Sequence, residues 1–209
     1  MRPILMRRRR RPLKPCATPW AHDVMKRQKL LQELSTMRAW DLEEAAHIRK
    51  TMNFVANTKD CFERYHLPGH VSASAWIINE DGGKILLMHH RKLGQWLQPG
   101  GHADGAADML EVARREALEE TGLPGHCLQC LSPKIFDVHV HQVAAVKGAP
   151  HHRHFDIRYL FKASSNTTPP GNHESFSLAW VPIHDVKLYQ NSHGHRRLVA
   201  KTRQALFKP

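Results

Sequence analysis

The sequence predicts an α+β (α/β) domain built on a mixed sheet, and three observations predict it. Apolar residues repeat at helical spacing from Met25 to about Asn57. From residue 70 onward, stretches rich in β-formers alternate with turn signals. One strong helical segment, Asp108–Thr121, stands among them. Strands and helices are therefore interspersed, with no internal repeat, which is the pattern of a sheet layered with helices.

Taken in order, Leu30, Leu31, Leu34 and Met37 mark the apolar face of a first helix. A second stripe runs Leu42, Ala45, Ile48, Met52, Val55, and Asp41 followed by Glu44 resembles a capping box that opens it. These helices form an N-terminal extension, residues 25–66, closed by the turn signal Leu67-Pro68-Gly69. Residues 67–209 form the main domain. Val71–Ile78 reads as a strand, Asp81-Gly82-Gly83 as a turn and Lys84–His89 as the returning strand of a hairpin. Trp96–Gln98 is a short extended piece before Pro99-Gly100-Gly101. Asp108–Thr121 is rich in Ala, Leu and Glu, and Gly122 supplies its stop. Lys134–Val143, Phe155–Ala163 and Phe176–Val181 read as further strands, and Gly194–Phe207 as a last helix with a basic face.

The chain of 209 residues carries a formal charge of +12. Half of that excess lies in residues 1–24, which hold the run Arg7–Arg11 and prolines at 3, 12, 15 and 19. Like-charge repulsion and repeated proline predict a disordered basic tail there. The prolines disfavour an amphipathic transit helix. A nucleic-acid arm stays open for the tail, although nucleic acid is not the favoured partner of the domain. No apolar run approaches the roughly 18 residues of a spanning helix, so no membrane partner is expected. With no secretory segment, a cytoplasmic location is expected. The four cysteines, Cys16, Cys61, Cys127 and Cys130, then read as thiols. Cys127 and Cys130 form one isolated CxxC, and packing accounts for it better than a zinc site of four protein ligands.

Glu116, Glu119 and Glu120 stand at i, i+3 and i+4, which places three carboxylates on one helix face. Arg114 and Arg115 cannot neutralise all three. Such a face is either solvated or loaded with divalent cations, for which Mg²⁺ shared with substrate phosphates is the hard-oxygen choice. Spacing alone favours the solvated alternative.

The surrounding residues change that balance. The segment GHADGAADMLEVARREALEETGL resembles the box of the Nudix hydrolases, with Gly101, Arg115-Glu116, Glu119-Glu120, Gly122 and Leu123 in register and Ala117 in an apolar slot. The preceding hairpin, LQPGG, and the later Trp180-Val181-Pro182 also look like that family. LPGHVSASAW and HHRKLGQWLQPGGHADG look like one bacterial subgroup of it. The resemblance implies an α/β/α sandwich around a mixed sheet. It further implies Mg²⁺ (or Mn²⁺) held by Glu116, Glu119 and Glu120 with the Gly100 carbonyl, and hydrolysis of a diphosphate bond in a nucleoside-diphosphate-linked small molecule. One position departs: the first box Glu falls on Ala107, with Asp108 one step later. Asp108 is expected either to replace that Glu as a partner of Arg115 or to cap the helix. Gly101, Arg115 and Gly122 are expected to be structural.

Hydrolysis needs a group to deprotonate water. Glu119 is the first candidate and Glu174, on a loop before a strand, the second. Histidines are numerous, at 17. His139 and His141 alternate on one predicted strand, and His152, His154 and Asp156 at the start of the next. Antiparallel pairing across Val143–Pro150 would let the sets meet, as substrate contacts or a second metal site at His141, His152, His154 and Asp156. A merely histidine-rich sheet surface is the simplest alternative. His89, His90 and His102 flank LQPGG and carry no assigned role. The expected partner is thus a small diphosphate, with a homodimer left open. The competing function is a catalytically weakened module that binds nucleotide or RNA. Isomerases of isopentenyl diphosphate share the scaffold, but the hydrolase pattern argues against that chemistry.

Overall fold

Asp41 sets the start of the second helix: its carboxylate accepts a hydrogen bond from the Glu44 amide at 2.7 Å, and Glu44 in turn accepts from the Trp40 amide at 2.7 Å. The first bond satisfies an orphan donor of the helix N-terminus, and the second ties down the residue just before the cap. The computed structural model describes residues 19–145, 150–164 and 168–206. Its order is α1 (Pro19–Ser35), α2 (Leu42–Asn57), β1 (Gly69–Ile78), β2 (Lys84–His90), β3 (Gln95–Leu97), β4 (Gly100–His102), α3 (Met109–Thr121), β5 (Leu128–Cys130), β6 (Asp137–Val143), β7 (His152–Ala163), β8 (Ser175–Pro182), α4 (Val186–Tyr189) and α5 (His193–Leu206). Helix α1 starts at Pro19, six residues before the Met25 expected from apolar spacing. Proline suits the first helical turn, where its missing N–H has no partner to lose. The expectations for Arg7–Arg11 and Cys16 lie outside the described residues.

The sheet is mixed, with the order β3-β2-β1-β7-β5. Its centre is a parallel pair, β1 with β7, in unbroken register from Gly69↔Arg153 to Ile78↔Lys162. Every residue of β1 is buried, as expected of a central strand covered on both faces. The hairpin expected between β1 and β2 is confined to its turn, where Ile78 faces Ile85. Beyond that point β2 pairs with β8, and the first half of β1 pairs instead with β4, Ser74 opposite Gly100. β6 runs antiparallel to β7.

Alternation along β1 divides the core into two layers. Val71, Ala73, Ala75 and Ile77 join Met109, Val112, Ala113 and Ala117 of α3 and Leu30, Leu34, Ile48 and Val55 of α1 and α2. Trp76 and Ile78 join Leu160, Val181, Val186 and Leu198 beneath α4 and α5. Helices therefore cover both faces. No helix among the described residues is long and apolar enough to cross a membrane.

The basic face expected on the last helix is turned partly inward. Arg197 and Lys201 are buried, and both bind Asp137, at 2.7 and 3.1 Å. Lys201 also pairs with Glu44 of α2. Cys127 and Cys130 carry free thiols, and neither belongs to a metal-capable cluster among the described residues.

Candidate functional site

Helix α3 begins and ends where its capping residues dictate. Asp108 accepts from the Glu111 amide at 3.3 Å, and Gly122 adopts the left-handed conformation (φ 72°), returning its N–H to the Leu118 carbonyl at 2.9 Å. Asp108 also pairs with Lys29 of α1 at 2.6 Å. It serves as the cap, and among the described residues Arg115 bonds instead to Glu116 and the His102 carbonyl. Ala107, at the first box Glu position, packs against the apolar core.

The three glutamates do not share one solvated face. Glu116 and Glu120 lie along the same stripe as Val112, Ala113 and Ala117, against the sheet, and Glu120 is only 5% exposed. Glu119 stands outward, with its side chain 61% exposed. Glu120 accepts a hydrogen bond from the Gly100 amide at 2.8 Å. Burial pushes its carboxyl up to about 8, and the charges of Glu116, Glu174 and Glu119 add to that shift against the restraint of the Gly100 bond. Burial raises Glu116 as well, opposed by its 2.7 Å pair with Arg115. Arg115 donates to the His102 carbonyl at 2.8 Å and stands 4.0 Å from Glu119.

Two glycines allow this packing. A Cβ on Gly101 would lie 2.3 Å from a Glu116 carboxylate oxygen, and one on Gly100 would lie 2.7 Å from the Ser74 Cα. Glu174 occupies a loop fastened to the end of α3. The Asn172 side chain donates to the Glu119 carbonyl at 3.0 Å and accepts from the Glu174 amide at 2.8 Å. Glu174 thus joins the carboxylates that the sequence groups around Glu120. Sequence reasoning missed Arg64, which pairs with Asp104 and feels the charges of Glu116 and Glu174. Its only signal was its place at the end of the N-terminal extension, just before the turn Leu67-Pro68-Gly69.

The donor set is hard oxygen: three carboxylates, with a fourth within electrostatic reach and one cation, Arg115, in direct contact. That set suits Mg²⁺ or Mn²⁺ in chemistry. A cavity of about 950 Å³ between the α1–α2 link and α5, lined in part by Met37, Trp40, Phe136 and Lys201, contains none of these glutamates.

The histidines gather elsewhere on the sheet. Pairing of β6 with β7 sets His141 opposite His154 and His139 opposite Asp156. His152 and His154 converge with His70 of β1, which the sequence did not single out. Its signal was its alternation with Ser72 and Ser74 on one strand face. Asp156 turns away into an internal network, bonded by Ser72, Ser74 and Arg158 at 3.3, 2.7 and 2.8 Å. His102 stands beside the cluster, its ring 5.0 Å from that of His70. His89 stacks on Trp96, and His90 lies on the bulged end of β2.

A family model described as the NUDIX domain matches residues 68–202. The curated Xenopus laevis protein "Nucleoside diphosphate-linked moiety X motif 6" is 36% identical over 72 residues, which cover 32% of this chain and 33% of that protein. The chain thus spans about a third of the length of this curated relative. A C. elegans Ap4A hydrolase, solved as a binary complex, superposes with a TM-score of 0.51 at 20% identity, over 65% of this chain and 96% of its own. The NUDIX domain of Shewanella oneidensis NrtR, solved with ADP ribose, gives 0.49 at 19% identity, over 74% and 97%. At such identity the Ap4A hydrolase likeness speaks to the fold, a mixed sheet between helical layers. The box in register on α3 and a domain match spanning most of the chain carry the assignment, and the chain belongs to the Nudix hydrolase family.

Proposed function

We propose that this chain hydrolyses the diphosphate bond of a small nucleoside-diphosphate-linked molecule, with Mg²⁺ or Mn²⁺ held at α3. The observation that carries the reading is Glu120: a buried carboxylate, bonded by one amide, beside three other carboxylates. Such a pocket is costly without a cation. Glu116, Glu119 and Glu120 would hold the ion, with the adjoining Gly100 carbonyl. The ion supplies charge neutralisation at the phosphate oxygens and acidifies bound water.

The chain's own groups supply the rest. Glu174, outside the ligand set, takes a proton from the attacking water. A metal-held Glu119 is a weaker base, although it stays the alternative. As the new P–O bond forms, the bridging P–O bond breaks and its electron pair leaves with the departing phosphate. Arg64, exposed beside Asp104, offers a cation to the substrate phosphates.

The test is turnover of a panel of nucleotide sugars, dinucleoside polyphosphates, ADP-ribose, dinucleotide cofactors and nucleoside triphosphates with Mg²⁺ and Mn²⁺. Glu120→Gln keeps an acceptor for the Gly100 amide and removes the charge. Turnover is expected to fall by at least about 100-fold with the fold retained. Chelator should abolish wild-type turnover and added Mg²⁺ restore it. Unchanged turnover in Glu120→Gln would sink the reading. Ala107 favours a second reading, a weakened module that binds nucleotide or RNA. Nucleotide binding without turnover of any substrate, weakening steeply with salt if RNA is the ligand, would support it.

A further inference from the structure

We propose that His70, His152 and His154 form a second metal site, built for a divalent transition cation of the Zn²⁺ type. The ligand-capable nitrogens of the three rings lie within 4.8 Å of one another. Nε2 of His152 stands 3.1 Å from Nε2 of His154. Nitrogens at 2.0–2.1 Å around a tetrahedral zinc are about 3.3 Å apart, so the pair already has nearly the required separation. His70 and His152 are buried, and the site opens only on the His154 side.

The outer hydrogen bonds select the ligand tautomers. His152 Nδ1 faces the Pro150 carbonyl at 2.8 Å, so it carries the proton and leaves a lone pair on Nε2. His70 Nδ1 faces the His66 carbonyl at 3.5 Å, a weaker bond of the same sense. The Nε2 of His70 is buried without any hydrogen-bond partner, though it points among the other two rings. A buried acceptor left unmatched is costly, and one cation would satisfy the His70 lone pair while taking the place of the hydrogen bond between His152 and His154.

The alternative use of these rings, a cationic grip on phosphate, fits poorly. His70 is buried, and burial disfavours the cationic form that a phosphate grip needs. Neutral imidazoles ligate metals and do not attract anions. Imidazole selects Zn, Cu, Fe or Ni over Mg. His102, whose ring is 5.1 Å from that of His154, and water compete for the fourth position. Bound there, the ion would tie the start of β1 to the start of β7. The site is independent of the hydrolase reading, since none of its ligands comes from the α3 glutamates.

The experiment titrates Zn²⁺ alone into the full chain at neutral pH with Mg²⁺ in excess, then counts the zinc that survives gel filtration. One equivalent is expected in the wild type and in Glu120→Gln. His152→Ala and His154→Ala should each weaken retention by at least about tenfold. No retained zinc in the wild type, equal retention in the histidine variants, or loss in Glu120→Gln alone would each overturn the proposal. So would loss in His47→Ala with retention in His154→Ala, which would move the ion to the Glu43, His47 and His139 group. Should the histidine variants fail to fold, X-ray absorption of the zinc-loaded wild type decides. Imidazole scattering is expected, and an oxygen-only shell refutes the site.

Discussion

Gly100 and Gly101 are neighbours in the chain, yet they protect different things. A Cβ on Gly101 meets the end of the Glu116 side chain, which can swing aside. A Cβ on Gly100 meets the backbone of Ser74 in a central strand, which cannot. Gly101→Ala is therefore expected to leave urea stability almost unchanged while lowering turnover by about tenfold or more, because it displaces a carboxylate of the proposed metal site. Gly100→Ala should cost about 1–3 kcal/mol, the usual range for overpacking. Equal stability losses in the two variants would count against this division. At this scale the sequence was legible in residue type and spacing but not in burial. Helical spacing puts Glu116, Glu119 and Glu120 near one another, and it cannot say that Glu120 is driven against the sheet while Glu119 faces water. That depends on where β4 docks, and β4 begins in two glycines, which carry no strand signal.

Helix α3 shows which features of an element the sequence does carry. Its cap and its glycine stop are local signals: Gly122 ends the helix where the sequence places the stop, and of the two roles open to Asp108 the structure shows the cap. The partner of the cap is not local: Lys29 lies 79 positions away on α1. The extension thereby touches the helix that carries the glutamates, and the contact invites a comparison of cap with ion pair. Asp108→Ala removes both the cap and the pair with Lys29 and should cost about 1–2 kcal/mol, most of it from the cap. Lys29→Ala should cost less than about 1 kcal/mol, since both partners are roughly half exposed and solvent screens the pair. Urea unfolding of the two variants checks this, and an equal or larger loss in Lys29→Ala would show that the ion pair outweighs the cap. The β1–β2 hairpin was legible only at its turn. Which strands each partner joins beyond it is decided by long-range pairing with β4, β7 and β8.

Across the whole molecule, one buried network joins both helical layers to the sheet. Asp137 on β6 binds Arg197 and Lys201 of α5 and lies 3.4 Å from Arg158 of β7, while Lys201 reaches Glu44 of α2. The basic face of α5 was legible in the sequence, but its inward turn was not, because the matching acids lie 60 or more positions away. Burial alone would raise the Asp137 carboxyl, yet Arg197, Arg158 and Lys201 outweigh it and hold the group at about 2. A depressed folded pKa stabilises the fold above the unfolded value, 3.8, and that stability is lost as pH falls through about 2. Asp137→Asn removes the carboxylate that three buried cations share and leaves each with a remaining acidic partner, Glu43 for Arg197, Glu44 for Lys201 and Asp156 for Arg158, so a loss of up to about 3–5 kcal/mol is expected at neutral pH. The same variant cannot titrate at this position. Its deficit relative to the wild type should therefore shrink as pH falls below 3.8, where the wild-type carboxyl begins to be protonated in the unfolded chain. Denaturant unfolding of both proteins at neutral pH and at stepped acid pH measures that gap. A deficit that stays constant down to pH 2 would mean that Asp137 contributes through shape and hydrogen bonding, with its charge playing no part in joining the layers.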